Sequence, residues 1–185
     1  MKNTTLPTFV VINNEKYIIN KNGSYDVVLD IMRALSDTQL NKQERLYVAL
    51  NIFYKFNVPE DCKQAIDEMY CFISRGKSQK CNAKTVMDWN KDFDLIADAV
   101  IPILGYDIRN PEKFTHWWTL VGAYNQIGDS PFAVIVSIRS KRQKGKKLEK
   151  WEQEFYRENR EVIDAVSDMS DEEKKRLQDY LDEDW

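Results

Sequence analysis

A chain of 185 residues with 43% hydrophobic and 31% charged content, only six glycines and five prolines, is too apolar for a disordered protein and has the balance of a helix-rich folded one. A net charge of −3 is too small to select an acidic or a basic partner. No apolar run approaches the roughly 18 residues needed to cross a bilayer, and the Met1 to Pro7 start lacks the apolar stretch of a secretory signal, so no membrane partner and a cytoplasmic location are expected.

The chain begins as β structure. Thr8 to Ile12 and Tyr17 to Asn20 are short β-branched runs around Asn13-Asn14-Glu15-Lys16, the pattern of a hairpin. Such a hairpin is marginal alone and must lie on the helices that follow. From Tyr25 the apolar period becomes helical, with Val28, Ile31, Met32 and Leu35 on one face and an end before Ser36-Asp37. Asn41 with Glu44 forms a capping box ahead of Leu46, Leu50 and Phe53. Pro59 suits the first turn of a third helix, with Glu60 and Asp61 at its positive end. Its predicted buried face is Cys62, Ala65, Ile66, Met69 and Ile73, and Gly76 closes it. Residues Lys77 to Thr85 form a polar loop.

A fourth helix carries Phe93, Ile96, Ala97, Val100 and Ile103, with Pro102 in its last turn and Gly105 beyond it. Phe114, Trp117, Trp118, Val121 and Tyr124 make an aromatic helical stripe that Gly128 ends. Ser130-Pro131 supplies a cap and a first-turn proline for Phe132, Ile135, Val136 and Ile138. After the basic run Arg139 to Lys147, one long charged helix takes Leu148, Trp151, Phe155, Val162 and Val166 in register. Ser170 with Glu173 opens a short acidic helix containing Leu177, Tyr180 and Leu181.

The residues offer little reactive chemistry. His116 is the only histidine, so any triad or zinc site depends on it, and its Trp117-Trp118 neighbours favour a packed structural imidazole. Cys62, Cys71 and Cys81 are odd in number and show no C-x-x-C spacing. They are expected to be reduced, with Cys62 and Cys71 acting as buried small hydrophobes. Asp94 and Asp98 share a helical face opposite the apolar stripe, where carboxylates are solvated, and nothing marks Asp88 or Asp92 for the burial that a catalytic pair requires. No phosphate-cradling or nucleophile-elbow glycine motif occurs. The chain is therefore expected to be no enzyme and to hold no cofactor and no metal.

Arg139 to Lys147 has the charge to meet nucleic-acid phosphates, but no recognition motif accompanies it and the acidic end of the chain opposes its field. A solvated linker is the expectation, and nucleic acid is a disfavoured partner. The tryptophans say more, because Trp is seldom fully buried and is favoured at protein interfaces.

The second half follows a recognisable order: Trp89 to Ala99, Gly105-Tyr106-Asp107-Ile108, His116-Trp117-Trp118-Thr119-Leu120, then Phe132 to Arg139. Together with Tyr17 to Asn20, Ala34 to Asp37 and Pro59-Glu60-Asp61, these segments resemble the bacteriophage gene-product-fifteen family of long-tailed phages and prophages of Gram-positive bacteria, up to about Val166. The resemblance implies a tail assembly chaperone acting in the host bacterial cytoplasm and absent from the mature virion. It implies the tape measure protein and the tail tube protein as partners; self-association is a separate expectation, from the long charged helix beginning at Leu148, which could hold neighbouring copies together. The matching motif positions are His116, Trp117, Trp118 and Arg139.

The expected architecture is mainly α: a helical core domain with its N-terminal β-hairpin over 1–145, and a charged C-terminal helical extension with an acidic tail over 146–185. Trp117, Trp118, Phe132, Ile135 and Ile138, with Trp151 and Phe155 on the extension, are the expected partner-binding residues. The alternative is a DNA-binding accessory protein using 139–147.

Overall fold

Two consecutive asparagines set the first element of the computed structural model, which describes residues 5–76 and 86–166. Asn13 and Asn14 both adopt left-handed backbone (φ 51° and 65°), as a two-residue type I′ turn requires. Strands β1 (Phe9–Ile12) and β2 (Glu15–Ile18) pair antiparallel across it, with Phe9 opposite Ile18 and Ile12 opposite Glu15. The turn is thus shorter than the expected Asn13 to Lys16, because asparagine tolerates the left-handed region and lets Glu15 and Lys16 join the ladder. Val10 and Ile12 point inward and are buried.

The described residues are mainly helical, with eight α-helices after the hairpin. They fall into two compact units, residues 1–79 with 100–126, and residues 80–99 with 127–185. Helix α6 therefore groups with α7 and α8, in a unit that takes in both sides of position 145.

In the first unit, a tight turn at Asn20–Gly23, with Lys21 and Asn22 in left-handed backbone (φ 43° and 52°), leads into α1 (Tyr25–Ser36), whose Val27, Val28 and Ile31 are buried. Helix α2 (Lys42–Tyr54) starts at the predicted capping box. The Asn41 side chain accepts from Glu44 N at 3.0 Å, and the Glu44 carboxylate accepts from Asn41 N at 2.8 Å. Helix α3 (Cys62–Ile73) begins later than expected, because Asp61 caps it by accepting from Gln64 N, and Pro59 precedes the helix. Ala65, Met69 and Phe72 form its buried stripe, so Cys62 and Cys71 fall outside the stripe and are exposed, contrary to their expected role as core thiols. Helices α2 and α5 pack along α1, and α3 packs against α2 and the hairpin.

Helix α4 (Phe93–Leu104) continues through Pro102 and ends at Gly105, whose φ of +77° permits the stop. Helix α5 (Trp117–Tyr124) excludes Phe114, which is exposed ahead of the cap instead of joining the stripe. In the second unit, Ser130 caps α6 (Pro131–Gln143) by accepting from Ala133 N at 3.1 Å. This helix runs into the basic segment, so residues 139–143 are helix and not linker. The expected single long helix is instead α7 (Lys150–Glu158) and α8 (Arg160–Asp164), broken at Asn159, whose backbone (φ −117°, ψ 27°) leaves the helical region. The expected 77–85 loop, Cys81 and the Ser170 acidic helix lie outside the described residues. No helix among the described residues is long and apolar enough to cross a membrane.

Candidate functional site

His116 stands at the N-cap of α5 with extended backbone, and its buried imidazole joins two distant parts of the first unit. Nδ1 accepts the Trp118 backbone N–H at 3.0 Å, which leaves the proton on Nε2, and Nε2 donates to the Pro7 carbonyl at 3.0 Å. The ring satisfies an orphan donor of the helix and anchors the segment leading into β1. Burial holds the imidazole pKa below its ordinary value, against the smaller opposite influence of the Pro7 bond. Phe72 meets the imidazole edge-on at 5.6 Å between ring centroids. Gly23 lies so close that a Cβ there would sit 2.6 Å from His116 Nε2 and 2.8 Å from the Phe72 ring. The Gly23 φ of +79° and this approach both require glycine.

The two tryptophans extend the same arrangement. Trp117 Nε1 donates to the Ile73 carbonyl at 2.9 Å, and Trp118 Nε1 donates to the Phe72 carbonyl at 2.8 Å. Both acceptors belong to the last turn of α3, where helix geometry leaves carbonyls without an ordinary helical partner four residues on; the Phe72 carbonyl also accepts from Arg75 N at 3.2 Å. Trp117 is fully buried, whereas Trp118 is half-buried and stacks on Phe72. The His-Trp-Trp motif thus locks the start of α5 to the end of α3 and to the entry of the hairpin.

Arg139 organises the second unit. Its guanidinium is buried and forms a bidentate pair with the buried Asp92 carboxylate, Nη1 to Oδ2 at 2.7 Å and Nη2 to Oδ1 at 2.9 Å. The other donors reach backbone carbonyls: Nε to Ile163 at 2.9 Å, Nη1 to Val86 at 3.3 Å and Nη2 to Val162 at 2.6 Å. Every N–H of the planar fork has an acceptor, an arrangement that lysine cannot reproduce. Asp92 Oδ2 also accepts from Asp88 N at 3.0 Å, shaping the turn before α4. Asp92 carries no mark in composition, yet it directly precedes an apolar helical period, the position of a capping residue. Arg139 shares the buried face of α6 with Phe132 and Ile135, at spacings of seven and four residues in the sequence.

The expected partner-binding residues divide by burial. Ile135 and Ile138 form a core cluster with Ile163, against which Phe155 and Leu148 pack. Phe132 is also buried, so with Trp117 these side chains are core in this conformation and offer no surface. Phe155 is half-buried, and Trp151 is 52% exposed. Trp151 remains accessible with its Nε1 donating to Glu149 at 3.0 Å. Tyr47 (70% exposed) and Phe56 (84% exposed) had no distinguishing sequence signal, and Phe114, expected in the aromatic stripe, is exposed as well. Much of the basic run is engaged internally. Lys141 Nζ reaches the buried Glu152 carboxylate at 2.6 Å, and Arg142 pairs with Asp164. The Lys141 bond, followed by a backbone bond from Glu149, holds the Glu152 pKa below the usual carboxylate value.

These features define a mainly helical protein whose motif side chains are consumed in joining its elements. The sequence profile described as Bacteriophage Gp15 protein matches residues 3–165, and the chain belongs to that family. No curated protein and no solved structure matched it.

Proposed function

We propose that the chain is a non-catalytic tail assembly chaperone that binds the tape measure protein in the host cytoplasm, assists polymerisation of the tail tube protein and leaves before the virion matures. Membership of the phage Gp15 family is the observation that carries this reading. The placement of the motif residues supports it. His116, Trp117, Trp118 and Arg139 meet groups of this chain and serve to hold a scaffold, which leaves recognition to the surface. Trp151 is the favoured client contact in the second unit: a half-exposed indole beside the half-buried Phe155 gives apolar area with little entropy to lose on binding.

Co-expression tests the reading. A tape measure fragment that aggregates alone should become soluble and co-purify with this protein, and Trp151→Ala should reduce the soluble fraction while the protein itself stays folded. Aggregation unchanged by the wild-type chain counts against chaperoning. Contact with DNA is the weaker alternative, since Arg139, Lys141 and Arg142 already pair with carboxylates and the charge of that run outside these pairs reduces to Lys144, Lys146 and Lys147. Salt-sensitive retention on DNA that disappears when these three lysines become glutamines would favour it.

A further inference from the structure

The hairpin has two edges, and only one is guarded. Ile12 and Glu15 flank a two-residue turn, and Ile19 N donates to the Thr8 carbonyl at 2.9 Å. In an antiparallel ladder the hydrogen-bonded pairs alternate, so Val10 with Tyr17 is bonded, while Phe9, Val11, Lys16 and Ile18 aim their N–H and C=O groups outward. Among the described residues, nothing outside the hairpin bonds to the backbone of Phe9 or Val11. The β2 edge carries Glu15 and Lys16, charges of the kind that discourage strand addition. The β1 edge carries none: Thr8 to Ile12 is uncharged, and Val11 is 53% exposed.

We propose that β1 pairs antiparallel with β1 of a second copy of this chain, making a continuous four-stranded sheet from two hairpins. A two-fold register centred on Val10 sets Phe9 opposite Val11 of the second copy and the reverse. In that register both outward-facing residues of each β1 exchange N–H···O=C bonds with their opposites. Aromatic against β-branched is a favoured cross-strand pair, and no like charges meet anywhere along the register. A second copy fits better than a charged client strand, because Thr8 to Ile12 carries no charge and the ammonium nearest to it, Lys16 Nζ, already lies over the Phe9 ring at 3.9 Å. The added strands also bring a marginal two-stranded element up to a self-supporting sheet.

Sedimentation of the full-length protein over a range of concentrations, with edge variants, tests this. The wild type should show a reversible monomer–dimer equilibrium. Val11→Pro removes an outward N–H but no bond within the hairpin, since proline is tolerated on a free edge. It should raise the dimer dissociation constant at least about tenfold while leaving far-ultraviolet dichroism unchanged. Ile18→Lys, on the same face but at the other edge, should leave the dimer intact. If Val11→Pro disturbs the fold, Val11→Lys provides the second test and should dissociate the dimer by placing a charge on the edge. A wild type monomeric throughout, a dimer that survives a folded Val11 variant, or equal dissociation by Ile18→Lys would each overturn the proposal; the last would indicate packing through the hairpin face.

Discussion

His116 is the only histidine in the chain, and its imidazole accepts from a helix N–H through Nδ1, so protonation costs the fold a cap and buries a charge. Unfolded, it titrates near its ordinary 6.5; folded, burial lowers that value. Between the two values the unfolded chain binds more protons, so stability rises with pH across that window. The contribution is complete above the unfolded value and is lost as pH falls through it towards the folded one. An NMR titration of the single imidazole should give a midpoint below 6.5, and a midpoint at or above it contradicts the arrangement. Arg139 behaves differently, because its removal strands Asp92 in the interior. Arg139→Met should cost about 3–5 kcal/mol in urea unfolding, with Arg139→Lys also clearly destabilising. Adding Asp92→Leu to Arg139→Met should restore part of that loss. The Val86, Val162 and Ile163 carbonyls would still lack their donor.

At the level of elements, the start and stop of most helices were written in local chemistry. The Asn41 and Glu44 box, the Ser130-Pro131 start and the Gly105 end lie where their side chains and backbone requirements predict. Discrepancies arise where a more distant partner or a backbone choice decides. Asp61 displaces the start of α3, Asn159 breaks the expected long helix, and Arg139 draws the basic run into α6 because Asp92 awaits it inside. The conformational role of Gly23 is invisible in sequence, since it depends on the later arrival of His116 and Phe72. Gly23→Ala should therefore destabilise by about 1–3 kcal/mol in thermal or urea unfolding, through clash and a left-handed backbone together. Asn14→Gly should do the reverse, raising stability by up to about 1 kcal/mol, because glycine suits the second position of a type I′ turn.

On the scale of the molecule, the order of motifs along the chain carried the family, and the fold class followed from apolar period. The candidate site was only partly legible. Periodicity marks which residues share a face but not whether that face meets the same chain or another, so Trp117, Phe132, Ile135 and Ile138 read as surface candidates and lie in cores. Trp151 escapes because α7 is amphipathic and its outward side lacks a covering element among the described residues. Titration calorimetry of the purified protein with soluble segments of the tape measure protein tests the central claim most directly. Saturable binding to the wild type, weakened at least about tenfold by Trp151→Ala with an unchanged unfolding midpoint, is the predicted result. Absence of heat and of complex with any segment along the tape measure protein would contradict it.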